Sequence, residues 1–289
     1  MFAQKCYNVL MGRTKILLDQ KQLYDLYHNK SMSPYKIGTF LNCSWATVAN
    51  RLREFNIPLK NNSEARIKYE RKDFNNVQAL KAYMLGFRMG DLNVYKPTIN
   101  SETIVVRCHT TQEEQVNVIK GLFSNFGHVT VSRRNGHMHV NCFLNQTFDF
   151  LIVKDEISWG WVNEDSKFYL PFIAGYTDAE GNFILNQGRA RFKIDSYDYQ
   201  ILEKITEWLN IHNISFKFRQ IYKLGDTQYI NGIKSKYNGN LWRLNVNNAN
   251  SLKKLILLIK PYLRHSIRIR QTKECLKNID KRIKNGTIK

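Results

Sequence analysis

The chain has 289 residues, 43% apolar and 12% aromatic, which leaves room for one large domain or a few smaller ones with a substantial core. Its 44 Lys+Arg against 24 Asp+Glu give a net charge of +20. That surplus points to a polyanionic partner, nucleic acid first, although ribosomal and membrane-surface proteins share it. Five scattered cysteines with no CxxC pair argue against a zinc ribbon or a disulfide framework and for a reducing compartment, and no apolar run is long enough to cross a bilayer.

The opening MFAQKCYNVLMGRTKILL is interrupted by Gln4, Lys5, Gly12, Arg13 and Lys15 and reads poorly as a secretory signal. The expected location is therefore the cytoplasm or nucleoid of a prokaryote, or an organelle matrix, and not the exterior. Next, QKQLYDLYHN places Leu23, Leu26 and Tyr27 at helical spacing. In SMSPYKIGTFLNCSWATVANRLREFNIPLK, Ser33 fits an N-cap with Pro34 behind it, and Ile37, Phe40 and Leu41 form an apolar face. A short turn at Asn42-Cys43-Ser44 leads to a second helix over Trp45–Glu54, with Val48 and Leu52 inward and Trp45, Thr47, Asn50, Arg51 and Arg53 outward. This is a helix-turn-helix pattern, a DNA-reading device, with a plain three-helix bundle as the alternative. The expected boundaries are a helix-turn-helix domain at 1–62 and a polar linker at 63–76.

The remainder repeats itself, as halves 77–160 and 161–289. ALKAYMLGFRMGDLN leads into strand TIVVRCHT, helix QEEQVNVIKGLFSNFG, strand-like HVTVSRRNGHMHVNCFLN and apolar FDFLIVK. From Pro171 the order returns: PFIAGYTDAEGNF, strand ARFKIDS, helix YQILEKITEWLN, strand ISFKFRQIYK, a long hairpin through Gly225 and Gly232, strand LWRLNVNN and helix SLKKLILLIKPYL. Two copies suggest a pseudo-twofold domain and not a solenoid.

Gly86 and Gly90 lie four apart in the first repeat, as Gly175 and Ala179 do in the second. Small residues at that spacing share a helix face and let a second backbone approach closely. Each small face is followed at once by a carboxylate, Asp91 and then Glu180, 89 residues later. Packed together, the two helices would deliver both acids to one end of their interface. Two carboxylates at helix C-termini oppose the dipoles and each other. A hard divalent cation such as Mg²⁺, or Mn²⁺, would resolve the conflict, and carboxylate-held metals serve phosphodiester hydrolysis. Acidic turn residues are the plainer alternative for either copy alone.

The strands alternate with period two. Arg189, Arg191 and Lys193 oppose Ala190, Phe192 and Ile194; Lys217, Arg219 and Lys223 oppose Phe216 and Phe218; Arg243, Asn245 and Asn247 share a face of the last strand. The first half offers Arg107 with His109, Ser132 with Arg134, and His137 with His139 and Asn141. Arg and Asn read guanine and adenine edges and Lys meets phosphate, so these faces fit duplex DNA; a solvated sheet face is the alternative. His137-Met138-His139 also has strand spacing for two metal ligands. No P-loop, GxSxG or Cys/His nucleophile pattern occurs.

IAGYTDAEG (Ile173–Gly181) resembles the LAGLIDADG homing-endonuclease motif, and MLGFRMGDL (Met84–Leu92) is similar to it as a more divergent copy, with Met89 in place of an acid and Leu92 in place of the usual glycine. The resemblance spans Ala79 to the C-terminus. It implies an α+β fold, a pseudo-twofold pair of αββαββα units with saddle-shaped antiparallel sheets, to which the small all-α helix-turn-helix domain is added. It further implies a monomer that cuts both strands of a long asymmetric site across the minor groove and leaves short 3′ overhangs. The motif's metal-binding acids fall on Asp91 and Glu180, and Asp178 becomes a structural cap. The family's basic residues near the scissile phosphates fall, by position in the repeat, on Lys154 and Arg268. Intron or intein mobility is the implied setting, and the lack of protein-splicing flanks favours an intron-encoded or free-standing form. Two other roles use the same scaffold: an intron RNA maturase and a non-cleaving DNA-binding regulator.

Overall fold

The computed structural model describes residues 17–60, 69–154, 160–163, 166–230 and 233–288. The opening segment, residues 63–68 of the expected linker and Gly232 of the expected hairpin lie outside these residues. The chain separates into two compact units, Met1–Lys68 and Tyr69–Lys289.

In the first unit, α1 (Gln20–Tyr24) runs into a π-helical turn, Asp25–Asn29, and is followed by α2 (Pro34–Phe40) and α3 (Trp45–Glu54). Each α-helix starts on a side-chain cap. Asp19 accepts from the Gln22 N–H at 2.7 Å, Ser33 from Lys36 at 3.3 Å and Ser44 from Thr47 at 3.1 Å. The α2–α3 turn closes so tightly that a β-carbon on Gly38 would lie 2.6 Å from the Cys43 carbonyl oxygen, and Asn42 takes the left-handed conformation at φ 54°. Leu23, Leu26, Tyr27, Ile37, Val48, Leu52 and Ile57 form its core. Arg51 corrects the sequence reading. It is only 7% exposed and pairs with Glu54 one turn on, because, three residues after Val48, it shares the buried face of the helix.

The second unit begins earlier than the linker reading expects. Arg71 donates to Thr103 Oγ1 (2.8 Å) and the Leu144 carbonyl (3.1 Å), Lys72 N–H donates to the Phe126 carbonyl, and Phe74 is buried among Phe126, Phe148 and Phe150. Residues 69–76 are thus part of the fold, held by the buried Phe74 ring together with the Arg71 and Lys72 hydrogen bonds.

Helix α4 (Gln78–Gly90) is followed by β1 (Asn93–Tyr95), β2 (Ile104–Thr110), α5 (Glu113–Phe123), β3 (His128–Arg134), β4 (His137–Leu144) and a 3₁₀ turn, Gln146–Leu151. After a second 3₁₀ turn, Gly160–Asn163, the order repeats as α6 (Ser166–Glu180), β5 (Gly181–Asn186), β6 (Arg189–Ser196), α7 (Tyr199–Ile211) and β7 (Lys217–Tyr222). A hairpin, β8 (Thr227–Ile230) and β9 (Ile233–Lys236), precedes β10 (Leu241–Val246), α8 (Ala249–Ile259), a 3₁₀ turn Lys260–Tyr262 and α9 (Ser266–Lys284). Helix α6 starts five residues before Pro171, which sits inside it.

The sheets have orders β1-β2-β4-β3 and β5-β6-β10-β7, antiparallel throughout. The two orders are one topology, used twice. The apolar faces of both sheets, with α4, α6 and the flanking helices, share one core. The halves differ in their endings: the first closes on a 3₁₀ turn where the second has α8 and α9.

Candidate metal and nucleic-acid site

Helices α4 and α6 touch backbone to backbone. A β-carbon on Gly86 would lie 2.0 Å from the Phe172 carbonyl oxygen, and one on Gly175 would lie 2.1 Å from that of Tyr83. The same packing carries on to the helix ends, where a β-carbon on Gly90 would stand 2.5 Å from Ala179 Cβ and 3.2 Å from Glu180 Oε1. Asp91, the C-cap of α4, follows directly, so the two carboxylates meet at one end of the helix pair.

Their electrostatics reflect the meeting. Burial raises Glu180 to about 7, and the Asp91 and Asp198 charges push the same way, against Lys154 and Arg268. Burial also raises Asp91 to about 6, opposed by the Gln115 hydrogen bond and by Arg268 and Lys154. Gln115 Nε2 donates to Asp91 Oδ2 at 2.5 Å, and its own carbonyl accepts from Thr110 Oγ1 at 2.6 Å. Lys154 lies 3.5 Å from Asp198 Oδ2, and Arg268 Nη1 donates to Gln271 Oε1 at 3.2 Å. An open cleft of about 430 Å³ runs beside Glu180, lined by Gln112, Asn182, Lys193, Asp195, Arg268 and Gln271.

Among the described residues no three His, Cys, Asp or Glu side chains stand close enough to form a metal cage. Two converging carboxylates nevertheless fit Mg²⁺, which is commonly held by one or two carboxylates with water and substrate phosphate completing its shell. Their oxygen-only donor chemistry and mutual repulsion supply the fit.

Asp178 has a different environment. It is 1% exposed and accepts from Tyr83 Oη at 2.6 Å and from the backbone N–H groups of Arg264 (2.6 Å) and His265 (3.1 Å). It therefore ties α6 to α4 and to the start of α9, and does not cap its own helix.

On the first sheet, register puts Arg107 opposite Asn141, His109 opposite His139, Ser132 opposite His139 and Arg134 opposite His137, all on one face. Arg107 donates to Asn141 Oδ1 (3.0 Å) and Tyr95 Oη (2.8 Å), and the His109 and His139 rings stand 4.3 Å apart. On the second sheet the rows are Asn182–Lys193–Asn245–Lys217 and Asp195–Arg243–Arg219. Arg189, Lys217 and Arg219 are exposed, whereas Arg191 and Asn245 are half-buried. Asp195 neutralises part of this face, gripping Arg243 at 2.6 and 2.7 Å with Lys193 at 3.3 Å. Lys223 corrects the strand reading: β7 ends at Tyr222 after a bulge, and Lys223 sits in a turn where its N–H donates to Asp226. In the first unit Trp45 is 60% exposed and Asn50 exposed, accepting from Arg53; Thr47 is half-buried with its hydroxyl against Ser44.

Gln112, Gln115, Asn182, Asp195 and Gln271 were not singled out from the sequence. Gln112 and Asp198 carried a usable signal, since each immediately precedes the helix that follows the second strand of its half.

Fold and site together define a pseudo-twofold α+β protein in which paired helices deliver two acids beside two sheets with basic outer faces. No protein-family model and no curated protein matches the chain. Among solved structures it is similar to I-DmoI in complex with DNA and Mn (16% identity, 64% of this chain and 97% of that one, TM-score 0.45). It is also similar to full-length DUF199/WhiA from Thermatoga maritima (12% identity, 72% and 62%, TM-score 0.47) and to the N-terminal LAGLIDADG domain of DUF199/WhiA (12%, 64% and 83%, TM-score 0.42).

Proposed function

We propose that this chain is a site-specific endonuclease of duplex DNA, a monomeric homing endonuclease that serves intron mobility. The observation that carries the reading is the placement of Glu180 Oε1 against Gly90, adjacent to Asp91, which brings one acid from each half of the chain to a single point. Bound there, Mg²⁺ or Mn²⁺ would activate water and stabilise the leaving oxygen. The chain's own residues do the rest. Asp91 and Glu180 hold the negative charge that attracts the cation, with Gln115 fixing one Asp91 oxygen. Lys154 and Arg268, whose charges act on both carboxyls, would oppose the charge of an entering phosphodiester. In each strand a water oxygen would bond to phosphorus as the P–O3′ bond breaks, water giving up a proton and the leaving 3′ oxygen taking one up, to yield a 5′ phosphate and a 3′ hydroxyl, with 3′ overhangs.

The rows of Arg, Lys, Asn and His on both sheets, and α3 of the first unit, would position the duplex and read its bases. Such a protein would work wherever this DNA is reached, in the nucleoid or cytoplasm of a prokaryote or in an organelle matrix. With Mg²⁺, the protein should cut a plasmid carrying the intronless insertion site once. Glu180→Gln should abolish cutting and leave binding largely intact. Full cutting by that variant, or by protein held in chelator, would overturn the assignment. Binding without cutting by the native chain would favour a DNA-binding regulator, and protein-dependent splicing of the precursor RNA would favour a maturase.

A further inference from the structure

The halves share one topology but not one outline. In the first half β3 and β4 are joined by two residues, Asn135 and Gly136, both left-handed at φ 51° and 75°. The corresponding β7–β10 connection spans residues 223–240. It does not widen the four-stranded sheet. Instead β8 and β9 pair with each other, from Thr227↔Lys236 to Ile230↔Ile233, as a separate two-stranded sheet.

This arm is tied to its base. Gly225 N–H donates to the Tyr237 carbonyl (2.9 Å), Tyr237 N–H to the Asp226 carbonyl (3.0 Å) and Leu224 N–H to Asn240 Oδ1 (3.0 Å). The Tyr237 ring stacks on Tyr222 at 4.2 Å. Its surface is apolar and cationic. Tyr229 is 70% exposed and Leu224 67% exposed, while Lys223, Lys234 and Lys236 outnumber the single acid, Asp226. Among the described residues no acidic side chain pairs with these lysines. Unpaired cations and bare tyrosine on a two-stranded ribbon suit a DNA groove, since a major groove admits such a ribbon and cations gain by displacing condensed counterions. The arm also follows the strand that bears Lys217 and Arg219.

We propose that the β8–β9 arm is a DNA-reading extension peculiar to the second half, so that the recognised site reaches further on that side than on the other. This rests on the DNA-binding reading of the sheets. Four strand residues at ~3.3 Å each add about 13 Å of reach, or about four base pairs at ~3.4 Å per step.

The test selects bound sequences from a randomised duplex pool with the full chain and with a variant whose residues 223–240 are replaced by Asn-Gly, the turn the first half already uses. The expected result is that the variant's pool loses about four constrained base pairs at one end and keeps the other. A double variant, Lys234→Gln with Lys236→Gln, retains the arm's backbone and should lower the slope of log affinity against log salt by about two, at ~0.9 per phosphate contact. Should the arm-replaced chain fail to melt cooperatively, the double variant decides. Pools of equal length, loss at both ends, or an unchanged salt slope would overturn the arm's role while leaving the sheets' role standing. No enrichment by the native chain would overturn both.

Discussion

Gly86 faces the carbonyl oxygen of Phe172 at a distance that leaves no room for a side chain, 2.0 Å from where a β-carbon would be. Gly175 stands in the same relation to Tyr83, so the helix pair tolerates nothing larger than hydrogen at either crossing point. Gly86→Ala and Gly175→Ala should each destabilise the Tyr69–Lys289 unit by about 3 kcal/mol through overpacking, read as a fall in urea midpoint. Gly121→Ala is the internal control. It lies in α5 with nothing within 4 Å of its added β-carbon, and the change should stabilise by about 0.5 kcal/mol through helix propensity.

Asp178 joins three helices through one oxygen. Tyr83→Phe removes one of three donors and should cost about 1 kcal/mol. Asp178→Ala strips the acceptor from the Arg264 and His265 N–H groups and should cost about 3 kcal/mol. Because those groups start the helix that carries Arg268, Asp178→Ala should also slow single-turnover cleavage, whereas Tyr83→Phe should not. Urea melts and single-turnover rates on one preparation separate the two effects.

The raised carboxyls set a sign for pH dependence. With Asp91 near 6 and Glu180 near 7 against ordinary values of 3.8 and 4.5, these two groups bind more protons in the folded chain than in the unfolded one up to about pH 7. Stability contributed by these protons is present at low pH and is lost as pH rises through the folded values. Buried His265, depressed to about 4, acts in the opposite sense below its ordinary 6.5. The window that isolates the carboxylates is therefore about pH 6.5–8, where the metal-free melting temperature should fall as pH climbs. Mg²⁺ should raise it more at the top of that window than at the bottom, and Glu180→Gln should flatten the profile.

Asp195 holds down the charge of the second sheet by engaging Arg243 and Lys193. Asp195→Asn should raise affinity for arbitrary duplex DNA and steepen its salt dependence by about one to two in log–log slope, at ~0.9 per cation freed for phosphate. A fluorescence titration at several salt concentrations measures it. Unchanged slope would mean that this face does not meet phosphate.

Local periodicity made much of this architecture legible. Ala190, Phe192 and Ile194 alternate with Arg189, Arg191 and Lys193 because a strand covered on one side sorts its residues at period two. The small residues four apart before Asp91 and Glu180 likewise announce a close helix contact without structural help. What resisted reading depends on distant partners. Arg51 looked outward by helical count, yet it is buried in the bundle and pairs with the half-exposed Glu54. Phe74 anchors residues 69–76 to the core although its neighbours are polar and mostly exposed. The Gln115–Asp91 bond and the grip of Asp178 on the start of α9 join positions that no short window contains together.

The reciprocal glycine crossing also bears on how the protein is made. Tyr83 and its acceptor Asp178 are 95 residues apart, so at ~5–20 residues per second the first helix waits on the order of 5–20 s on the ribosome for its mate. During that interval Met84, Leu85 and Phe87, buried in the finished protein, lack their final cover. Yield in the cell should therefore depend on translation speed between the two halves, read as the soluble fraction from genes recoded with slower or faster codons there.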